Sequence, residues 1–226
     1  MHAPTYAIGR AAGRFVSAMY VRHRVVHPER LRRAGPFLLA CTHIGHLEPI
    51  LLSGWMTRPV HWVAREEFFR FRPAASVLRR LGAIEIDRFG VPVRAVRESI
   101  RRLGRGEIVG IFPEGGRTHG NGQAVRGGRV RGGVATIAMR AGVPVVPVVM
   151  LGLDAMQAVG TWVPGRRTTV RTIVGEAIAP AALGTRTGRR ARRQAMTAEV
   201  AAAFISLYQE LTGEKSPGSE RPGGPA

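Results

Sequence analysis

A histidine and a carboxylate that could share a proton stand five positions apart, as His43 and Glu48 in the segment THIGHLEP. The short apolar run Phe37–Cys41 before them predicts a buried strand, and Pro49 after them favours the first turn of a helix. Residues five apart in a regular helix point about 140° away from each other, so the two side chains meet only if the segment turns. The junction therefore predicts a general base, His43, oriented by Glu48. The alternative is a helix-capping glutamate beside an unrelated histidine.

Other candidate bases and nucleophiles are less well placed. Cys41 lies inside the predicted buried strand, and as the single cysteine of this sequence it excludes an internal disulfide. His46 is the rival general base within the same segment, whereas His61 and His119 have no companion carboxylate in the sequence. The spacing leaves His46 open as the alternative to His43, and Cys41 is poorly placed to act as a nucleophile.

Two further predicted strands lead to an arginine. The first, residues 82–88, alternates apolar and polar residues and ends at Arg88; the second, residues 107–112, runs into a loop that contains Arg117. Open α/β sheets bind their ligands at the carboxyl ends of the strands, and guanidinium groups bind phosphate through two parallel hydrogen bonds. Arg88 and Arg117 are therefore predicted phosphate ligands. For Arg88, an ion pair with an acid of the same strand is the alternative.

The loop after the second of these strands, FPEGGRT at residues 112–118, carries more candidate ligands. Gly115 and Gly116 permit close approach of the backbone to a ligand, and their amides are predicted to donate to a phosphate. Glu114 is predicted either to orient Arg117 or to bind hydroxyl groups of the substrate.

Taken in order, these segments resemble the glycerolipid acyltransferases, the family of 1-acylglycerol-3-phosphate acyltransferase. The family motif Asn-His-x-Ser-x-x-Asp is similar to residues 42–48, and a glycine-containing strand that ends in Asp-Arg is similar to residues 82–88. The motif Phe-Pro-Glu-Gly-Thr-Arg-Ser is similar to residues 112–118, and Val-Pro-x-x-Pro to residues 143–148. The four motifs occur in the family's order, which makes the resemblance far more specific than any single motif.

The chain departs from these motifs at four positions. Thr42, Gly45, Glu48 and Gly116 stand where the family has asparagine, serine, aspartate and threonine. Glutamate keeps the carboxylate of aspartate but is one methylene longer, so the loop or the histidine ring must adjust. The basic residue that some members carry after the third motif is lysine. Arg131 stands nearest to it here and is a possible further phosphate ligand.

The resemblance implies an O-acyltransferase that moves a fatty acyl group from an acyl thioester to the hydroxyl of a lysophospholipid-like acceptor. The donor would be acyl-CoA or acyl-carrier protein, and the first candidate acceptor is 1-acylglycerol-3-phosphate. It implies no metal and no bound cofactor, because the thioester is a co-substrate. Two alternatives stay open: a phosphate-free lyso-aminolipid acceptor, and a catalytically inactive basic relative that binds membrane or nucleic acid. The expected location is cytoplasmic, peripheral on the inner face of the cell membrane.

The formal charge of +19 favours polyanionic partners. The basic run at residues 186–193 would suit nucleic acid, but the sequence has no paired Cys/His zinc spacing and few aromatic residues to stack on bases. Residues 5–26 interleave aromatic and apolar residues with arginines in an amphipathic pattern typical of a membrane interface, and residues 68–72 are a second candidate. We therefore expect an anionic membrane surface as a partner rather than nucleic acid.

The order of elements predicts an α/β fold, a single domain with a mixed sheet flanked by helices and an N-terminal amphipathic helical segment. The predicted boundaries are the N-terminal segment at 1–26, the acyltransferase domain at 27–212 and a disordered tail at 213–226. The longest apolar run, residues 143–153, is broken by prolines and too short to cross a bilayer, and no signal peptide is predicted. Helices are predicted at 49–55, 74–81, 93–103, 134–139 and 196–211, and further strands at 145–149 and 169–174.

Overall fold

The computed structural model of this chain describes residues 3–45, 47–87, 92–116, 123–153, 168–180 and 188–214. The helices are α1 (Ala3–Tyr20), α2 (Glu48–Trp55), α3 (Glu67–Arg70), α4 (Arg72–Arg80), α5 (Val93–Gly104), α6 (Gly133–Ala141) and α7 (Arg189–Thr212). The strands are β1 (Val21–Val26), β2 (Phe37–Cys41), β3 (Val60–Arg65), β4 (Ile84–Ile86), β5 (Ile108–Ile111), β6 (Val145–Leu151) and β7 (Thr168–Val174).

The described strands form one sheet in the order β1-β7-β6-β2-β5-β3-β4. Strand β2 pairs in parallel with β5 and β6, and β3 pairs in parallel with β4 and β5. Strand β7 is antiparallel to β6 and parallel to β1, so the sheet is mixed, as predicted. The carboxyl ends of β2, β5, β3 and β4 consequently meet at one edge of the sheet.

Both faces of the sheet are covered. All five residues of β2 are buried, which explains why its sequence is a continuous apolar run rather than an alternating one. Leu38 and Ala40 join the core formed with α5, α6 and α7, whereas Leu39 and Cys41 join the core formed with α2 on the other face. The prediction of a mixed α/β sheet flanked by helices is therefore confirmed.

The N-terminal segment is helical only as far as Tyr20, and the chain then forms the edge strand β1. In β1, Val21 is buried while Arg22 and Arg24 are exposed, so the alternation of valine and arginine belongs to a strand rather than to a longer amphipathic helix. The segment predicted over residues 1–26 thus spans two elements.

Helix α1 is folded onto α2. Tyr6 is buried, and the Arg10 side chain donates to the Met56 carbonyl oxygen at 3.3 Å. Gly13 allows the two helices to approach closely, since a Cβ at this position would lie only 3.0 Å from Cγ2 of Ile50. Among the helices that the structure describes, none combines the length and apolar character needed to cross a membrane.

Most predicted helices and strands begin and end within two residues of the observed ones. Helix α7 is an exception, because it begins at Arg189 rather than at the predicted residue 196. Its N-terminal end therefore contains residues 189–193 of the basic run. Strand β3 was not predicted, and in the predicted interfacial segment Phe69 is buried while Phe71 is exposed. Residues 215–226 of the predicted tail lie outside the described residues.

Candidate active site

The loop after β2 turns sharply, and Glu48, the first residue of α2, folds back onto it. Its Oε1 atom accepts the backbone N–H of Ile44 at 2.6 Å and that of Gly45 at 2.5 Å. Gly45 packs tightly here, because a Cβ at this position would lie 3.2 Å from the Cβ of Leu153. The segment therefore makes the turn that His43 and Glu48 need in order to meet.

The turn places His43 against Glu48. Nδ1 of the histidine lies 3.6 Å from Oε1 of the carboxylate, the acid is fully buried and the His43 side chain is 17% exposed. This distance is slightly longer than a formed hydrogen bond, and neither His43 Nδ1 nor Glu48 Oε2 has a hydrogen-bond partner among the described residues. Catalytic hydrogen bonds in ligand-free structures are often long and shorten when substrate binds. The carboxylate thus closes the turn and also faces the ring.

The electrostatics of the pair favour an ionised Glu48. Burial alone would raise the pKa of its carboxyl, but the His43 side chain and the backbone N–H groups of the turn outweigh burial and hold that pKa below its ordinary value. A carboxylate beside Nδ1 favours the tautomer that carries its proton there. Nε2 is then the nitrogen that can accept a proton from a substrate.

An aromatic stack fixes the plane of the His43 ring. Phe112, which follows β5, stacks on His43 with ring centroids 4.1 Å apart, and Trp62 of β3 stacks on Phe112 at 5.3 Å. The Trp62 indole N–H donates to Ser53 Oγ at 3.1 Å. Gly110 of β5 leaves room for the indole, since a Cβ there would lie 2.5 Å from it. Phe112 at the end of β5 and Trp62 within β3, two adjacent strands, therefore position the histidine that follows β2.

Glu114 joins two loops beside the candidate site. Its buried carboxylate accepts the backbone N–H of His43 through Oε2 and that of Ala124 through Oε1, both at 2.7 Å. These bonds tie the loop after β2 to the loop after β5. The structure thus adds a role in joining the two loops, while the two predicted roles of Glu114, orienting Arg117 and binding substrate hydroxyls, stay predictions because Arg117 lies outside the described residues.

Gly115 and Arg131 lie together in the loop after β5. Gly115 has a φ of +78°, and its N–H donates to the Phe112 carbonyl oxygen at 3.1 Å, so the amide predicted as a phosphate donor closes a turn. The Arg131 guanidinium lies where a Cβ of Gly115 would stand, with Cζ only 2.6 Å from that position. A side chain at 115 would displace the arginine. The structure thus brings Arg131 to this loop, while a phosphate contact from the Gly116 amide stays a prediction.

Four residues singled out in the sequence lie outside the described residues: the predicted ligands Arg88 and Arg117, and the alternative histidines His46 and His119. Asp87, the residue before Arg88, follows β4 at the same sheet edge as His43. The phosphate contacts of the two arginines stay predictions.

The residues at the end of β2 support the fold and supply no nucleophile. Cys41 is completely buried, and burial raises the pKa of its thiol well above the ordinary value, so the thiolate is not available. The Thr42 hydroxyl accepts the backbone N–H of Met150 at 3.1 Å and ties β2 to β6.

His61 has a companion carboxylate after all, contrary to the sequence-based expectation. Its Nε2 lies 3.0 Å from Oε2 of Glu107, and its Nδ1 lies 3.0 Å from the Gly82 carbonyl oxygen. The two side chains stand at the starts of β3 and β5, at the sheet edge opposite His43. This pair therefore ties loops together away from the candidate site and does not compete for the role of base.

Sequence reasoning missed the aromatic stack and the clamp formed by Glu114. The signal for Phe112 was available, since an aromatic residue ends a predicted strand within a motif. Trp62 was hidden because its short strand was not recognised after Pro59. The described residues contain no group of three or more His, Cys, Asp or Glu side chains that could hold a metal ion.

The chain is similar to two known proteins, one in sequence and one in fold. The chain is 33% identical over 130 residues to the 1-acyl-sn-glycerol-3-phosphate acyltransferase of Bacillus subtilis (strain 168), a match that covers 57% of this chain and 62% of the relative. The chain thus spans less than two thirds of that relative's length. The fold is similar to that of the 1-acyl-sn-glycerophosphate (LPA) acyltransferase PlsC from Thermotoga maritima, with a TM-score of 0.61, 22% identity, and coverage of 91% of this chain and 78% of that one.

The sequence model of the Acyltransferase family matches residues 22–151. This region runs from β1 to β6 and contains His43, Glu48, the aromatic stack and the loop after β5. Because the match covers more than half of the chain, this protein belongs to the Acyltransferase family.

Proposed function

We propose that this protein transfers a fatty acyl group from an acyl thioester to the hydroxyl of a lysophospholipid-like acceptor, with 1-acylglycerol-3-phosphate as the acceptor. The observation that carries the proposal is the placement of His43. Its Nδ1 faces the buried Glu48 carboxylate, and its ring is held by Phe112 at the carboxyl ends of the strands. The family membership and the relatives point to the same chemistry.

The reaction needs one proton acceptor and no nucleophile from the protein. Nε2 of His43 takes the proton of the acceptor hydroxyl while its oxygen attacks the thioester carbonyl carbon. The tetrahedral intermediate then expels the thiolate, which recovers the proton from the imidazolium, so an ester and a free thiol are formed. Glu48 holds the tautomer and stabilises the imidazolium between the two steps.

The acceptor phosphate is assigned to the loop after β5 and the loop after β4. Arg131 supplies a guanidinium over Gly115, beside the turn that carries Phe112. We expect Arg117 and Arg88 to complete the site, because both follow strands that end at the same edge as β2. A phosphate-free lyso-aminolipid would bring no phosphate for these arginines to bind.

The donor is acyl-CoA or acyl-carrier protein, either of which brings its own thioester, so the proposed reaction requires no bound cofactor or metal. We also propose that the protein works as a peripheral protein on the cytoplasmic face of the membrane. Phe15 and Met19, one turn apart on α1, are 65% and 46% exposed, and Trp55 and Arg14 are exposed nearby. Such a mixed apolar and cationic surface suits an anionic bilayer, where each arginine contributes about 1 kcal/mol.

An acceptor panel tests this function. Purified protein receives radiolabelled acyl-CoA or acyl-carrier protein together with lysophosphatidate, another lysophospholipid or a lyso-aminolipid, and the His43→Ala variant serves as the control. We expect transfer to lysophosphatidate and a loss of about 10²- to 10⁴-fold in the variant. Transfer only to the phosphate-free acceptor would overturn the assignment of the acceptor, and equal transfer by His43→Ala would overturn the assignment of the base.

A further inference from the structure

A groove of about 870 Å³ lies along the edge strand β4, between α5 and the end of α4. Its floor contains Ile84 of β4 and Phe69 of α3, and its charged lining has five arginines against two glutamates, an excess of three positive charges. No residue of the candidate active site lines it. The groove is therefore a second, cationic surface, at the end of the sheet opposite β1 and α1.

The arginines of α5 form a regular stripe. Arg94, Arg97 and Arg101 are spaced three and four residues apart, so they share one helix face and span about 10 Å along it. Glu98 forms ion pairs with Arg101 at 2.6 Å and with Arg102 at 2.8 Å. Arg94 and Arg97 are exposed and form no ion pair with any described residue, so they can meet an external anion.

The chemistry of the groove fits an acidic helix better than other polyanions. An acidic helix presents carboxylates with the same three- and four-residue spacing, and its convex surface fills a concave groove, which a flat bilayer does not. Val93, which is 44% exposed at the start of α5 and lines the groove, supplies an apolar contact that a nucleic-acid backbone would not use.

The position of the groove relates it to the donor. Strand β4 lies three strands from β2, about 14 Å across the sheet, and α5 begins at the carboxyl edge where His43 stands. We propose that this groove docks an acidic helix of the carrier protein that delivers the acyl thioester on its flexible prosthetic arm. The proposal rests on the acyl transfer proposed above and assigns the place of the donor protein.

Charge reversal tests the docking directly. The variant Arg94→Glu/Arg97→Glu is compared with the conservative variant Arg94→Lys/Arg97→Lys, and with a control of equal charge change, Arg189→Glu/Arg190→Glu, at the exposed start of α7. Binding of fluorescently labelled acyl-carrier protein is measured by anisotropy across a salt series. Transfer is measured with acyl-carrier protein and with acyl-CoA, and thermal unfolding confirms that each variant folds.

We expect the reversal to weaken carrier binding and raise the KM for acyl-carrier protein by about 10- to 100-fold, with kcat/KM for acyl-CoA within about twofold. The lysine variant and the α7 control should bind the carrier nearly as well as the parent protein. The proposal would be overturned by an equal loss with both donors or by no loss at all. It would also be overturned by a loss with acyl-CoA alone, which would mark a nucleotide site, or by an equal effect of the α7 control. If the parent protein transferred from neither donor, the proposed function would fail, while the anisotropy measurement would still decide the docking.

Discussion

Replacing Glu48 by glutamine separates the two tasks of this carboxylate, closing the turn and stabilising a protonated His43. Oε1 accepts both N–H groups of the turn, whereas Oε2 has no hydrogen-bond partner among the described residues. The carbonyl oxygen of glutamine can therefore take the position of Oε1 and keep both bonds, while the amide nitrogen takes the position of Oε2. Only the negative charge is lost.

The charge has a large effect on the proposed reaction. At the observed separation of 3.6 Å between Nδ1 and Oε1, a carboxylate and an imidazolium attract each other by about 4–5 kcal/mol at an effective dielectric constant of about 20. Loss of that attraction predicts a rate about 10³-fold lower. If Glu48 only closed the turn, the glutamine variant would transfer at nearly the rate of the parent protein.

Aspartate at the same position tests the other task. It keeps the charge but withdraws the carboxylate by one carbon–carbon bond, about 1.5 Å. The hydrogen bonds to Ile44 and Gly45, now 2.6 and 2.5 Å long, would open to about 4 Å and be lost. Two charge-assisted bonds correspond to about 3–6 kcal/mol, so Glu48→Asp should unfold at a clearly lower temperature as well as react more slowly.

The assay combines single-turnover acyl transfer with thermal unfolding for Glu48→Gln, Glu48→Asp, His43→Ala and the double variant His43→Ala/Glu48→Gln. We expect the glutamine variant to be as stable as the parent protein and slow, and the double variant to be little slower than His43→Ala, because the charge acts through the ring. Glutamine activity within about threefold of the parent value would refute the electrostatic role. Unchanged stability of Glu48→Asp would refute the role in the turn.

Three further predictions concern residues around this pair. In Glu114→Gln, one of the two buried backbone N–H groups would face the amide N–H of the glutamine. We therefore expect kcat to fall about 10²-fold with little change in the KM for the acceptor. A rise in KM alone would instead support the predicted binding of substrate hydroxyls. Arg131→Ala should raise the KM for lysophosphatidate about 10- to 100-fold while Arg129→Ala does not; equal effects on a phosphate-free acceptor would contradict phosphate binding. Burial lowers the pKa of His23 to about 4, so the free energy of unfolding should fall by up to about 3 kcal/mol as the pH drops from 6.5 towards 4. Urea unfolding should show a shallower decline in His23→Gln, and an unchanged decline would contradict this linkage.

The sequence alone was sufficient to predict the limits of elements that have a clear apolar pattern. Strand β2 is a continuous apolar run, α5 has a clear helical periodicity, and Gly142 has the positive φ that ends α6, so the limits of these elements were predicted to within two residues. Strand β1 was missed because its alternation of valine and arginine also reads as one face of an amphipathic helix. Edge strands with one solvated face carry a weaker signal than buried ones.

Long-range pairing explains what the sequence could not show at the site. The contact of His43 with Glu48 is local, so spacing and a turn were enough to propose it. The stack on Phe112 and the bond from the His43 backbone to Glu114 depend on β2 lying beside β5, and spacing along the chain does not reveal that order. The pairing of His61 with Glu107 was missed for the same reason.

Two departures from the related motif, Gly45 and Glu48, lie side by side. A Cβ at Gly45 would lie at van der Waals distance from the Glu48 carboxylate, 3.6 Å from Oε2 and 3.8 Å from Oε1. The extra methylene in turn lets the carboxylate reach back to the N–H groups of the turn. An ionised carboxylate in a fully buried position is costly unless it is paired and hydrogen-bonded. The hydrogen bonds of the turn supply part of this compensation and the neighbouring His43 ring supplies the rest, so the charge of Glu48 and the ring must be tested together to distinguish a working catalytic pair from an inactive relative.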